Sequence, residues 1–460
     1  MDPSITTATG FTPLLAARLQ MALTLGFHIV LACLGIGLPL LLVVAEGRFL
    51  RTRDELWRTL ARRWSRAFAV LFAVGAVSGT VLSFELGLLW PKFMGTFGSV
   101  IGLPFTLEGF AFFLEGIFVG IYLYSWDRLP PRAHWLTGIP IAVAGFASAW
   151  FVVTTNAWMN TPRGFTLENG VVTEADPIRA MLNPAAGAQT VHMIVAAYLV
   201  AGFLVAGAYA VERLRGRDTP YARRAMALGL VMALVAAPVQ IVVGDWAAKV
   251  VAHTQPVKFA AMEGQFRTEA RAPLRLGGIP DEEAGRTRFA LEIPGGLSWL
   301  AYGDVDAVVQ GLDAVPEDDR PPVAIVHLAF QVMVALGTAF VALGLWSLAA
   351  YVRRRALPSR RAFLLAVAAS GPLSVLALEA GWVVTEVGRQ PWIAQGIMRT
   401  RDAVTEAPGI GWVFAGSMLI YTILLAGTAV VLRLLARHPL PRGLPGEPSG
   451  PRAGGGTHAA

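Results

Sequence analysis

Long apolar runs separated by short polar segments organise this chain. Nine runs can be read, over residues 13–46, 66–89, 103–126, 134–156, 186–212, 222–246, 322–351, 362–387 and 408–436. About 20 apolar residues in a helix cross the hydrocarbon core of a bilayer, and a backbone crossing lipid must satisfy its own hydrogen bonds. The pattern therefore predicts an all-α integral membrane protein with nine transmembrane helices. Arginines gather after alternate runs. Arg48, Arg51, Arg53, Arg58, Arg62 and Arg63 follow the first, and Arg128 and Arg132 the third. Arg213, Arg215, Arg217, Arg223 and Arg224 follow the fifth, Arg353, Arg354, Arg355, Arg360 and Arg361 the seventh, and Arg433 and Arg437 end the ninth. These positions share one side, which the positive-inside bias makes cytoplasmic, with the N-terminus outside and the C-terminus inside.

The chain divides into six helices within 1–246, an extracytoplasmic loop at 247–321, three helices within 322–437 and a tail at 438–460. The loop is the only long connection expected. It is acidic on balance, and loops of this length are functional or disordered as a rule. The Pro- and Gly-rich tail is expected to be disordered in the cytoplasm. No internal repeat is visible. The first run lacks a preceding basic segment and a small-residue cleavage site, so it is expected to remain as a span.

A mean hydropathy of +0.55 and 55% hydrophobic residues agree with an integral membrane protein. The net charge of +7 resides in arginines at span ends, so it does not point to nucleic acid. The single cysteine, Cys33, excludes a disulfide framework, a Cys-ligated iron–sulfur cluster and a CxxCH haem attachment.

Within the spans, the segment from Gly381 to Trp392 is the most informative. Trp382, Glu386 and Arg389 fall at i, i+4 and i+7 on one helix face, with Glu379 before them. Carboxylates inside a membrane helix are costly unless paired or ligated and mark function by default. Of seven histidines, only His28 and His192 lie well inside spans; His253 and His327 read as surface residues. Neutral imidazole is a common haem ligand. His192 and Met333 fall at similar depth, and a His/Met axial pair suits a low-spin, electron-transferring haem. His28, Glu108 and Glu386, from three helices at comparable depth, could hold one or two further haems with a face open to O2. Structural alternatives stand beside these: packing histidines, a core methionine, and a salt bridge between Glu386 and Arg389.

Glu108 and Glu115 stack on one face of the third span, about 10 Å apart along its axis. They read as steps of a proton relay that Ser148 could extend through water, or as carboxylates paired with a neighbouring helix. In the outer loop, Lys258 and Glu263 lie near the membrane surface. Quinol oxidation needs a proton acceptor at the hydroxyl and a donor at the ring oxygen, roles that Glu and Lys can fill. Such charges are also common on solvated loops.

Together these residues resemble subunit I of the cytochrome bd quinol oxidases, over about residues 15–437. The resemblance rests on Arg18-Leu19-Gln20 with His28, Leu107-Glu108-Gly109 with Phe112-Phe113-Leu114-Glu115, Trp126-Asp127-Arg128-Leu129, Asn156-Ala157-Trp158-Met159, Phe330-Gln331-Val332-Met333 and Gly388-Arg389-Gln390-Pro391-Trp392. It implies that His192 and Met333 ligate a low-spin haem b, and that His28 and Glu386 are axial ligands of two high-spin haems, a haem b and a haem d. By the same resemblance Glu108 lies at the haem d site, Trp382 sits between haems, Arg389 holds propionates with Trp392 in the same cofactor-binding corner, and Lys258 and Glu263 belong to the quinol-binding loop, or Q-loop. The loop lacks the long C-terminal insertion of some members. Gln331 stands where some have Arg, and the Glu108–Glu115 spacing is one residue shorter than in some. These features resemble the short-loop type and the branch called cyanide-insensitive oxidases, in which a further haem b can replace haem d.

The resemblance implies an electrogenic, non-proton-pumping quinol:O2 oxidoreductase of the bacterial cytoplasmic (inner) membrane. Quinol would be oxidised at the outer face, electrons would pass through three haems to reduce O2 to water, and protons would come from the cytoplasm. Glu108, Glu115, Ser148 and Trp382 are the catalytic candidates. The partners implied are quinol, O2, membrane lipid and an oxidase subunit II, with room for a small single-helix subunit. A haem-binding quinol-oxidising subunit of another respiratory complex is the alternative, although a bis-histidine pattern needs paired histidines on two helices. A proton-coupled transporter predicts inverted repeats, which are not found. A non-catalytic structural subunit leaves the carboxylates unexplained.

Overall fold

The computed structural model describes residues 12–437; the tail expected at 438–460 lies outside the described residues. The helices in chain order are α1 (Pro13–Thr52), α2 (Glu55–Leu89), α3 (Pro91–Tyr124), α4 (Pro131–Asn160), α5 (Pro177–Met181), α6 (Ala186–Leu214), α7 (Pro220–Thr254), α8 (Pro256–Glu263), α9 (Gly296–Tyr302), α10 (Val323–Arg354), α11 (Arg361–Val387), α12 (Thr400–Ala403) and α13 (Ile410–Arg437). Among the described residues, all but the short α5, α8, α9 and α12 are long and apolar enough to cross a membrane, nine in total. Proline opens α1, α3, α4, α7 and α8, where its missing N–H costs nothing. Thr12, Asp54 and Thr219 cap α1, α2 and α7 by accepting hydrogen bonds from Leu15, Leu56 and Ala222 at 3.0–3.2 Å.

The helices outrun the apolar runs. α1 has 40 residues and is about 60 Å long, twice the hydrocarbon thickness. Hydropathy reports only the part in lipid, and Arg, Leu and Ala are good helix formers that carry the helix beyond it. Arg48, Arg51, Arg58, Arg62 and Arg63 therefore ride on helix ends rather than in a loop. Ion pairs stitch this basic end together. Arg62 and Arg58 reach Asp127 at 2.6 and 3.5 Å, and Arg213 and Arg223 reach Asp218 at 2.7 and 2.8 Å.

α6 lies at the centre of the largest apolar cluster, against α1, α7, α10 and α11. Small residues let the backbones approach, the usual route to tight helix packing in lipid. A Cβ on Gly202 of α6 would sit 2.7 Å from the Gly229 carbonyl of α7, and one on Gly37 of α1 would collide with Ala201.

At the opposite end, here called the loop end, the connections are structured. β1 (Phe165–Glu168) and β2 (Val171–Ala175) form a hairpin between α4 and α6. Between α7 and α10, three antiparallel pairs nest: β3 (Glu269–Ala270) with β8 (Val308–Val309), β4 (Leu274–Leu276) with β7 (Leu291–Ile293), and β5 (Ile279–Asp281) with β6 (Arg286–Arg288). β9 (Trp392–Ala394) pairs with β10 (Met398–Arg399) between α11 and α13. The expectation of a single long connection is corrected: 161–185 and 388–409 are also substantial. His327 needs a correction too. It is fully buried, not at the surface. Its Nδ1 and Nε2 lie 2.8 and 3.1 Å from the carbonyls of Met262 and Gly277, because the loop folds over the start of α10. His253 is exposed as expected, with its ring against Tyr302.

Candidate functional site

The residues singled out on α11 meet the loop. Arg389 is buried and donates to Glu386 Oε2 at 2.5 Å and to the Ile393 carbonyl at 3.0 Å. The Glu386–Arg389 ion pair, the structural alternative for this segment, is thus present. Glu386 Oε1 also accepts from Asn156 Nδ2 at 2.5 Å, and Asn156 Oδ1 accepts from Gln189 of α6 at 2.5 Å. One turn along α4, Asn160 donates to the Asn156 carbonyl at 2.9 Å and accepts from Lys258 Nζ. A continuous polar line therefore runs from α8 through α4 to Glu386. Trp392, on β9, carries the Arg399 guanidinium over its ring at 5.1 Å. Trp382 packs against the central apolar cluster, one turn from Glu386.

Lys258 and Glu263 are not solvated loop charges. Each is only 5% exposed, on α8. Burial pushes the Lys258 ammonium down to about 7; the nearby Arg389 adds to this and Glu386 opposes it. Burial pushes the Glu263 carboxyl up to about 8, against the pull of Arg275. Glu263 Oε2 is buried without a hydrogen-bond partner, an acceptor awaiting a donor. Gln331 of α10 ties the loop down, accepting from Gly277 N–H at 3.0 Å and donating to the Arg275 carbonyl at 3.1 Å.

Three of the iron-ligand candidates pack closely against glycines. A Cβ on Gly79 would come within 2.9 Å of the His28 ring, one on Gly381 within 3.1 Å of Met333 Sδ, and one on Gly244 within 3.4 Å of the His192 ring. His28 Nδ1 is 2.9 Å from Ser78 Oγ. His192 faces α7, with Gln240 Nε2 within 3.2 Å of both ring nitrogens. Met333 faces α11. Arg389 Nε is buried and unpartnered, a place for an anionic propionate. Two histidines, a thioether and a carboxylate, each beside a glycine or a helix seam, with a buried guanidinium nearby, fit a haem-binding donor set.

The α3 carboxylates face α4. Ser148 Oγ donates to Glu108 at 3.1 Å. Glu115 is buried, with Oε1 unpartnered and 3.4 Å from where a Cβ on Gly145 would stand. Seven residues on, toward the basic end, is Tyr122, so α3 presents Glu108, Glu115 and Tyr122 at helical repeats. Tyr122 donates to Glu46 Oε2 at 2.7 Å; Glu46 Oε1 lies 2.7 Å from His134 Nδ1, and His134 Nε2 lies 2.9 Å from the Tyr122 carbonyl. His134 is 1% exposed. His134 is a span-end residue, in the first turn of α4, but it is buried there by a partner, Glu46, that lies 88 residues away in the chain. The lone carboxylate Glu46 at the end of the first apolar run was the available signal.

Among the described residues, nine helices suited to cross a membrane carry buried imidazole, thioether, carboxylate and guanidinium side chains, the residue types found in membrane-embedded redox proteins. The family model for cytochrome bd terminal oxidase subunit I matches residues 16–440, and the chain belongs to that family. It is 37% identical to a Bacillus subtilis (strain 168) protein provisionally named cytochrome bd menaquinol oxidase subunit I, over 93% of this chain and 97% of that one. It is 29% identical to the cytochrome bd-II ubiquinol oxidase subunit 1 of Escherichia coli (strain K12), over 92% and 96% of the two chains. The bd oxidase structure from Geobacillus thermodenitrificans superposes with a TM-score of 0.87 at 40% identity, covering 93% of this chain and 99% of that one. The protein is therefore subunit I of a cytochrome bd-type quinol oxidase, a multi-pass membrane oxidoreductase of a haem-containing family.

Proposed function

We propose that this subunit oxidises quinol at the loop end and supports reduction of O2 to water with protons drawn from the basic end. The loop end would face outward and the basic end the cytoplasm, as the arginine distribution supports. Bound haems would supply the electron transfer and O2 chemistry: a low-spin haem b at His192 and Met333, and a high-spin haem b and a haem d, or a further haem b, at His28 and Glu386. Subunit II and membrane lipid would complete the assembly. The observation that carries this reading is the polar line from buried Lys258 through Asn160 and Asn156 to Glu386 and Arg389. It joins the loop to the corner holding the candidate ligand.

In this reading Glu263 Oε2 takes the quinol hydroxyl proton and Lys258 donates to the ring oxygen, which orients the ring against the corner. Arg389 is free at Nε to hold a propionate while it positions Glu386. Glu108, with Ser148, delivers protons to the reacting side, and Glu115 passes them along α3. The Glu46–His134–Tyr122 cluster is the basic-end start of that line. The spacings exceed a hydrogen bond, so water must bridge them. Quinol protons released outside and water-forming protons taken from inside make turnover electrogenic without a pump. A pyridine haemochrome assay of the purified oxidase, together with quinol-driven O2 consumption in proteoliposomes, tests the reading. Haem and internal alkalinisation are expected; absence of haem would overturn it.

A further inference from the structure

The α1–α2 seam carries a second buried carboxylate site that the relay does not use. Glu85 is 3% and Gln20 2% exposed. Glu85 Oε1 accepts from Gln20 Nε2 at 2.8 Å and from Thr24 Oγ1 at 3.0 Å. Two oxygens remain buried without partners, Glu85 Oε2 and Gln20 Oε1. Both are acceptors if the carboxyl is ionised, so nothing satisfies either. One proton on Oε2 resolves both, because Oε2–H can then donate to Gln20 Oε1 and close an acid–amide pair. The groups facing Glu85 are Gln20 and Thr24 of α1 and Tyr421 of α13. The Tyr421 ring packs on Phe27, and its hydroxyl is buried.

The pair is one rung of a ladder. Gln20, Thr24 and His28 fall at i, i+4 and i+8 on α1, and Ser78 and Glu85 are seven apart on α2, so each set shares a helix face. Ser78 meets His28 at 2.9 Å. The Glu85 rung stands about 10 Å toward the loop end from the His28 rung. At that range in a dry interior, a charge change at one rung is felt at the other.

We propose that Glu85 is a redox-linked proton site: one proton from water binds Glu85 Oε2 as one electron arrives at the group held by His28, and returns to water as the electron leaves. This rests on the reading of His28 as a haem ligand. The test is redox-difference infrared spectroscopy of the purified holoenzyme in H2O and D2O. A protonated-carboxyl C=O band that shifts in D2O is expected in the reduced-minus-oxidised spectrum of the wild type. It should be lost in Glu85→Gln, which keeps size and amide hydrogen bonding. A band that persists unchanged in the variant, or is absent from the wild type, overturns the proposal. Haem absorbance in the same samples reports separately on the His28 reading. Should Glu85→Gln fail to assemble, Gln20→Leu decides: the band must shift, because the carbonyl loses its amide donor, and an unshifted band overturns the assignment.

Discussion

Glu263 offers the most quantitative test. Burial raises its carboxyl from an ordinary 4.5 to about 8, and a proton acceptor works only when ionised. About one-tenth of it is ionised at one pH unit below that value and about one-hundredth at two units below. Taken alone, this acceptor would make quinol-driven O2 consumption rise about ninefold from pH 6 to 7 and about fivefold more from 7 to 8. Lys258, lowered to about 7, acts in the opposite direction as it loses its charge, so the profile should be a bell with its top between 7 and 8. Glu263→Gln should leave haem spectra intact and give a low rate without the rising limb. The same shift bears on stability, and its sign is fixed. The opened loop releases its proton near 4.5 and the folded loop near 8, so stability is lost as pH rises through that window, by about 5 kcal/mol in total. Limited proteolysis of the loop should accelerate from pH 5 to 8 in the wild type and not in Glu263→Gln. A flat wild-type rate profile, or wild-type turnover in the variant, would refute the acceptor role. Proteolysis independent of pH would refute the burial argument.

Met333→Leu nearly conserves volume and should keep the fold while turning the low-spin signal high-spin; an unchanged reduced-minus-oxidised spectrum removes Met333 from the ligand set. Glu115→Gln keeps size but cannot release a proton, so turnover should fall steeply while quinol still reduces the low-spin haem. Normal proton uptake from the basic end in proteoliposomes would move the relay to another helix or to subunit II. Gly202→Val should lower the thermal midpoint by the equivalent of about 1–3 kcal/mol or more, since its Cβ would meet backbone of α7 that cannot swing aside; an unshifted midpoint would contradict the close α6–α7 approach.

Most of the helical architecture is legible in the chain because lipid imposes one rule on every span: enough apolar length and a self-satisfied backbone. Hydropathy therefore finds the nine spans but not where their helices stop, since Arg48 and Arg51 leave lipid without leaving α1. The candidate ligands His28, His192, Met333 and Glu386 stand out for a related reason, being residue types that lipid does not tolerate idly. Lys258 and Glu263 were legible as quinol-loop candidates near the membrane surface, but not as buried groups. Their burial comes from α8 packing under the loop and against α7 and α10, with side-chain contacts such as Lys258–Asn160 that join residues 98 apart.

By itself, then, the sequence determined the class of fold, the alternating basic ends, the family and the residues able to carry haem and proton chemistry, because each depends on composition or spacing within a single helix. Tertiary structure alone decided which of those residues meet. It buried His327 under the loop, paired Glu46 with His134 and Tyr122, and joined Gln20 and Thr24 to Glu85. Such pairings depend on how antiparallel helices are set in register, and that register is fixed by contacts between backbones, as at Gly202 and Gly229, that no local pattern records.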